Sequence, residues 1–135
     1  MDDVFVAQLM SSPVLTIEPD TTVASAGQAM MDENIKSVVV IDDDCHPEGI
    51  LTSTDFVQIA AAERSPTETT VEEYMTTDIL TTTAGAPIRD VAELMAEHGV
   101  SHVPVVDEDD QVTGIVTATD LTVYVSGVAD LAAEA

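Results

Sequence analysis

Two carboxylates, Asp55 and Asp120, each close a segment in which hydroxyl groups recur at fixed spacing. The first segment reads Gly49-Ile50-Leu51-Thr52-Ser53-Thr54-Asp55 and the second Gly114-Ile115-Val116-Thr117-Ala118-Thr119-Asp120. In both, an apolar run of strand character meets the first turn of a helix, so hydroxyls and a carboxylate gather at the junction. Such a junction supports two kinds of chemistry. Thr54 or Asp55, and Asp120 in the second copy, can cap the helix by accepting from its unpaired N–H groups. Alternatively, the carboxylate accepts from hydroxyls of a bound molecule, while the Thr hydroxyls and free N–H groups at the helix start form a local anion site.

The two segments are parts of a longer repeat. At an offset of 65, Met10–Phe56 aligns without a gap on Met75–Leu121, and 13 of the 47 pairs are identical. Most other pairs match apolar with apolar or polar with polar. The period exceeds that of common solenoid units, so two copies that close on each other are expected rather than an open array. A chain of 135 residues buries one ordinary core. The expected domains are 1–66, the first repeat with its lead-in, and 67–135, the second. A core shared between them is expected.

The composition narrows the partners. Asp and Glu number 26 against Lys36, Arg64 and Arg89, a formal net charge of −23. That field repels nucleic-acid phosphate and anionic membrane surfaces. It also repels itself, and high salt relieves this because the Debye length falls to about 3 Å at 1 M. An acidic surface with one lysine fits a salt-loving archaeon's cytoplasm. The single cysteine, Cys45, fits a reducing compartment. An acidic start with no long apolar run gives neither a secretory signal nor a membrane span, so a cytoplasmic location is expected.

The rest of the chain supplies the elements that position the two corners. Asp3–Met10 reads as a short helix with Val6, Leu9 and Met10 on one face, broken at Ser11-Ser12-Pro13. Val14–Ile17 is a short strand. Thr22 caps a helix whose apolar face is Val23, Ala26, Gly27, Met30 and Met31, with Asn34 as a left-handed stop. Val38–Ile41 is a strand buried on both faces, and Gly49–Thr52 is the next, followed by a helix to about Glu63. Arg64–Thr70 is a polar linker. The pattern then recurs: lead-in Val71–Met75, strand Ile79–Thr81, and a helix with Pro87 in its first turn and Ile88, Val91, Ala92 and Met95 on its face. Gly99 ends that helix. Val103–Val106 follows, where Pro104 argues for an edge strand or a strand start. Strand Val112–Thr117 and a helix from Asp120 to about Ala133 complete it. Each copy is strand–helix–strand–strand–helix, an α/β (α+β) fold of two tandem β-α-β-β-α units related by a pseudo-twofold.

With these motifs in register, the chain resembles a pair of cystathionine β-synthase (CBS) domains, the regulatory unit called a Bateman module. The resemblance runs from about Phe5 to Val128. It rests on the Gly-hydrophobic-hydrophobic-Thr-x-Thr-Asp runs, the starts Met10-Ser11 and Met75-Thr76, and Ser101-His102-Val103-Pro104-Val105-Val106-Asp107. It implies that an adenosine derivative binds in the cleft between repeats, with the Asp on the ribose hydroxyls. Carried onto this chain, one site centres on Asp120 with Thr117, Thr119 and Ile115. Ser101 and His102 flank it, and the first repeat adds Leu15, Ile35, Lys36 and Ser37. The pseudo-symmetric site centres on Asp55 with Thr52, Thr54 and Ile50, completed by Lys36, Ser37, Leu80, Val100, Ser101 and His102. Many members place an arginine where this chain has Lys36-Ser37 and Ser101-His102. So few cations favour a monophosphate over a triphosphate, or a cationic ligand such as S-adenosylmethionine.

The resemblance implies a sensor of AMP, ADP, ATP or S-adenosylmethionine that needs no cofactor, forms a homodimer and signals to a separate effector protein. The alternative is a ligand-free scaffold dimerised through Phe56, Ile59 and Ala60 of one helix and Leu121, Tyr124, Val125 and Val128 of the other. No catalytic constellation is present. No Ser or Cys has a His and an acid at a known spacing, and no P-loop or dinucleotide glycine pattern occurs. Cys45 and His46 lie in an acidic turn without metal-ligand spacing, and Asp42–Asp44 and Asp107–Asp110 lack the glycine and terminal glutamate of a calcium loop. Neither an enzyme nor a metal site is expected. Met30, Met31 and Met95 are expected in the core.

Overall fold

The computed structural model describes residues 4–11 and 14–126. Its elements are α1 (Val6–Leu9), β1 (Thr16–Ile17), α2 (Val23–Glu33), β2 (Ser37–Ile41), β3 (Pro47–Thr52), α3 (Ser53–Ala61), β4 (Thr82–Thr83), α4 (Ile88–His98), β5 (His102–Val106), β6 (Val112–Thr117) and α5 (Ala118–Ser126). A 3₁₀ turn, Val71–Glu73, precedes β4. The strands form two three-stranded sheets, β1-β2-β3 and β4-β5-β6. In the first, β1 and β2 are parallel and β2 and β3 antiparallel; in the second, β4 and β5 are parallel. This is the expected mixed fold, with α2 and α4 as the crossovers that parallel pairing requires.

The chain divides into two compact units. One holds Val14–Ile79 with Asp110–Val112. The other holds Leu80–Asp109, the chain from Thr113 onwards, and the N-terminal segment that includes α1. Each has its own apolar cluster in place of the expected shared core. In the first, Val23, Ala26 and Met30 of α2 pack with Val38, Val40, Leu51, Ile59 and Val71. In the second, Ile88, Val91 and Met95 of α4 pack with Val103, Val105, Val116 and Val6. Val6 and Val71 stand 65 apart, and both are fully buried. Each anchors a lead-in segment beside the start of a long helix.

Main-chain hydrogen bonds hold those segments. Val23 and Ala24 N–H groups donate to the Thr69 and Pro66 carbonyls, so the stretch expected as a polar linker is tied to α2. Arg64 meets Glu73 at 2.6 Å and lies over the Tyr74 ring. In the other unit, Val6 and Ala7 donate to Ala86 and Ala84, and Ile88 to Val4. Ordering the chain this way keeps α1 to one turn rather than the expected Asp3–Met10.

The lead-ins also explain the glycine that opens each corner. Ser11 and Ile115 exchange two main-chain bonds at 2.8 and 3.1 Å, and Thr76 and Ile50 exchange two at 2.9 and 3.0 Å. A Cβ on Gly114 would lie 2.9 Å from the Ser11 carbonyl oxygen, and one on Gly49 would lie 2.6 Å from Met75 Sδ and 2.9 Å from the Thr76 carbonyl oxygen. Gly49→Ala and Gly114→Ala are therefore expected to cost about 1–3 kcal/mol each, as overpacking does. Gly85→Ala, with nothing within 4 Å, is expected to stay within about 0.5 kcal/mol of the parent. Urea unfolding in high salt checks all three, and unchanged midpoints for Gly49→Ala and Gly114→Ala would contradict the packing argument.

Local chemistry sets most helix ends. Thr22 accepts from the Ser25 N–H, Asn34 closes α2 at φ 55°, and Gly99 closes α4 at φ 64°. Pro87 is the N-cap of α4 rather than a first-turn residue. Met31 is 77% exposed, because an eleven-residue helix on one sheet buries only a narrow stripe. Ile59 of α3 is buried in its core rather than free for a partner.

Pro104 overturns the edge-strand expectation and moves a neighbour. It is the third residue of β5, the middle strand of its sheet. In the first sheet, the Val39 N–H donates to the Leu15 carbonyl at 3.1 Å. Pro104 occupies the equivalent place and has no N–H. The pair Thr16↔Val39 accordingly has no counterpart. The second ladder starts with Thr82↔Val105 and extends to Thr83↔Val106. This puts β4 at Thr82–Thr83 in place of the expected Ile79–Thr81.

Candidate functional site

Each unit holds one Asp-centred corner. Leu15, Ile35, Lys36 and Ser37, expected to complete the Asp120 site, lie in the opposite unit from Asp120, and Leu80, Val100, Ser101 and His102, expected to complete the Asp55 site, lie in the opposite unit from Asp55. In the first unit, β3 runs straight into α3. The helix cap is Thr52 rather than Thr54 or Asp55, and Asp55 sits one turn in, completing a capping box. The Thr52 N–H donates to Asp55 Oδ2 at 2.8 Å. Lys36 adjoins the corner, since its carbonyl accepts from the Ser53 N–H at 3.2 Å, and Ser37 pairs with Thr52 across the sheet. Ile50 is buried, Thr54 and Lys36 are exposed, and Ile35 packs against the core.

The second unit repeats the arrangement. The Thr117 N–H donates to Asp120 Oδ2 at 2.8 Å, and the Asp120 N–H returns a bond to Thr117 Oγ1 at 3.2 Å. The Ala118 N–H donates to the Ser101 carbonyl at 2.9 Å, the counterpart of Ser53 and Lys36. Ser101 Oγ lies 3.0 Å from His102 Nδ1. Ile115 is buried, Thr119 is exposed, and Val100 packs against the core. Leu80 lies in this unit and Leu15 in the other.

In both corners, one carboxylate oxygen is fixed by a main-chain N–H at the helix start. The other oxygen accepts no hydrogen bond from the described residues. A carboxylate held this way is oriented by the fold and still has acceptor capacity for hydroxyl donors. The two differ in burial. Asp55 is 8% exposed, whereas Asp120 is more open. Burial raises the Asp55 carboxyl above its ordinary pKa, opposed by the Thr52 N–H and hydroxyl.

Burial also holds the His102 imidazole below the ordinary histidine pKa, and the Asp120 carboxylate partly opposes this. A histidine pKa lowered on folding means that the unfolded chain takes up the proton first. The His102 contribution to stability is thus complete above the unfolded value of about 6.5 and is lost as pH falls below it. His102→Asn is expected to flatten this part of the stability profile between pH 7.5 and 5.5, measured by urea midpoints in high salt. An identical pH dependence in parent and variant would contradict it.

Lead-in residues Ser11 and Thr76 belong to the corner architecture but were legible only as repeat starts. The glycine at the same place in each copy was the available signal. In the turn after β2, ligand atoms of Asp42, Asp44 and His46 lie within 4.8 Å of one another. Asp42 Oδ1 accepts from the Asp44 and His46 N–H groups, and Asp42 Oδ2 lies 3.2 Å from His46 Nδ1. The bond from the His46 N–H chiefly holds the Asp42 carboxyl below its usual pKa.

These sheets, corners and lead-ins are those of a CBS domain pair. The CBS domain model matches residues 6–62 and again 71–127, and the chain belongs to that family. An uncharacterized 17.7 kDa protein of Acidianus ambivalens is 33% identical over 86% of this chain and 70% of its own length. The L-aspartate semialdehyde sulfurtransferase of Methanocaldococcus jannaschii is 31% identical over 87% of this chain, a match that spans only 22% of that enzyme. The CBS domain pair of protein MJ0100, solved in complex with 5′-methylthioadenosine and S-adenosyl-L-methionine, superposes with a TM-score of 0.85. It is 30% identical over 92% of this chain and 97% of that one. No helix among the described residues is long and apolar enough to cross a membrane.

Proposed function

We propose that this chain is a non-catalytic sensor module that binds an adenosine-containing ligand between its two CBS repeats. The carrying observation is the duplicated corner, in which each Asp is fixed through one oxygen and leaves the other able to accept. Adjacent ribose hydroxyls suit such a carboxylate. The MJ0100 pair, which carries two adenosyl ligands, supports the same reading. Asp120 with Thr117, Thr119, Ile115, Ser101 and His102 forms one half of a site that Leu15, Ile35, Lys36 and Ser37 complete. Asp55 with Thr52, Thr54 and Ile50 forms the counterpart. With three basic residues in the chain, S-adenosylmethionine, 5′-methylthioadenosine and AMP suit it better than ATP. Ligand binding shifts an equilibrium only by its differential affinity for two states, and the signal passes to a separate effector protein.

Calorimetric titration with AMP, ADP, ATP and S-adenosylmethionine in molar KCl tests this. Saturable binding of one of them supports the sensor; no binding to a folded protein refutes it. One observation favours a second reading, a scaffold that dimerises through its helices. α5 buries none of its residues and exposes Val123 and Val125, and α3 exposes Val57. Val128, expected in the same surface, and the expected continuation of the last helix to about Ala133 lie outside the described residues. Under that reading the protein sediments as a dimer whether or not any nucleoside is present.

A further inference from the structure

The turn after β2 carries donor atoms that neither corner uses. Asp42, Asp44 and His46 stand two residues apart, and Cys45 between the last two adopts the left-handed region at φ 65°. The three side chains converge, each offering a ligand atom within 4.8 Å of the other two. Cys45 is exposed and stands outside that set. The spacing matches no metal motif by itself, so the convergence is a product of the turn. Bonds from elsewhere in the same compact unit hold it. The Asp44 carbonyl accepts from Gln111 Nε2 at 3.0 Å, and the Cys45 carbonyl from the Val112 N–H at 3.0 Å. Asp42 Oδ1 is committed to the Asp44 and His46 N–H groups, which leaves Oδ2 beside the imidazole, 3.2 Å from Nδ1. Ligand atoms about 2.1 Å from a shared ion stand about 3.0 Å apart at an octahedral angle and about 3.4 Å apart at a tetrahedral one. The observed separation lies between these, so this pair is already spaced for one ion. The Asp44 carboxylate is exposed and accepts no hydrogen bond from the described residues, so it can close on the same ion.

We propose that Asp42, Asp44 and His46 bind one divalent transition-metal ion of the zinc class, with water completing its shell. The imidazole nitrogen sets the class. Calcium and magnesium take oxygen ligands, whereas zinc, cobalt and nickel accept imidazole and carboxylate together. The net charge of −23 draws any dication toward this surface, and the imidazole discriminates among them. The site is separate from the two Asp corners and does not rest on the adenosine reading.

The test is calorimetric titration of the full chain with zinc chloride at about pH 7.5 in molar KCl, where diffuse attraction to the acidic surface is screened. The parent is expected to bind one ion saturably. Asp44→Asn and His46→Ala are each expected to weaken that binding by about tenfold or more, and Cys45→Ser is expected to keep the parent affinity. Urea transitions in the same buffer show that each variant is folded. Asp44→Asn removes no hydrogen bond of the described turn, so it tests the site in an intact fold. Excess Mg²⁺ is expected to leave the zinc in place. A parent without saturable binding overturns the proposal. So does parent affinity in either Asp44→Asn or His46→Ala, which removes that residue from the set. Loss of binding in Cys45→Ser moves the metal to the thiol, and displacement by Mg²⁺ reduces the site to surface carboxylates; each overturns the assignment.

Discussion

Replacing Asp120 or Asp55 by Asn is expected to weaken binding of an adenosine ligand by about tenfold or more, since a hydrogen bond to a charged acceptor contributes about 1.5–3 kcal/mol. Ala at the same positions removes both the acceptor and the capping-box bond to the Thr52 or Thr117 N–H, so affinity falls further and stability falls by about 1 kcal/mol, the size of one such hydrogen bond. Asn is the informative change because its side-chain oxygen can still accept from the Thr52 or Thr117 N–H. The two Asn variants differ in stability for a physical reason. Asp55 is desolvated and its carboxyl pKa is raised. A raised carboxyl pKa means that stability falls as pH climbs through the interval between the unfolded value and the folded one, and the deficit persists above it. Asp55→Asn removes that charge, so at neutral pH its fold is expected to be as stable as the parent or more so. Calorimetry for affinity and urea unfolding for stability separate the effects. Unaltered affinity in both Asn variants would reduce the carboxylates to capping-box partners of Thr52 and Thr117.

The repeat was legible because its signals are local. Thr22, Asn34 and Gly99 end helices through their own backbone preferences, and the β-branched run at Val38–Ile41 makes a strand wherever it is placed. What escaped depends on partners far along the chain. β4 begins at Thr82 because of a missing N–H at Pro104, 22 residues later. The Met10-Ser11 lead-in joins Ile115 and not Ile50. Both corners open with the same glycine, so pattern alone could not choose between them. Met31 failed for a related reason: it matches the helical period of the apolar face, but helix length and sheet width decide how much of that face is covered. The strand-to-helix corners and the Asp residues in them were legible from the repeated motif. It could not show that one oxygen of each is already committed, which separates an oriented acceptor from a cap.

Raising KCl from 0.1 to 3 M is expected to lift the melting temperature by about 10–20 °C, the shift that several kcal/mol produces in a chain of this size. The source is the excess of 26 acidic residues over three basic ones. Two carboxylates about 10 Å apart on the surface repel by about 0.4 kcal/mol in water without salt. At 0.1 M, where the Debye length is about 10 Å, roughly a third of that survives; at 1 M, where it is about 3 Å, only a few per cent does. With a few such neighbours per carboxylate the sum reaches several kcal/mol, a large part of the ~5–15 kcal/mol that holds a domain together. Little offsets it, because only three residues of the chain are basic; Arg64 pairs with Glu73 and, when protonated, His46 with Asp42. Screening alone has a signature. Neutralising Asp43, Glu68, Glu72, Glu97 and Glu108, all exposed, to Asn or Gln should raise the melting temperature at 0.1 M and reduce its rise with KCl. A parent whose melting temperature is flat from 0.1 to 3 M would rule the argument out. A rise of the same size in the neutralised variant would assign it to salting-out of apolar surface instead. The same field acts on ligands: at low salt it opposes AMP and favours S-adenosylmethionine, so the ratio of their affinities should shift toward AMP as KCl increases.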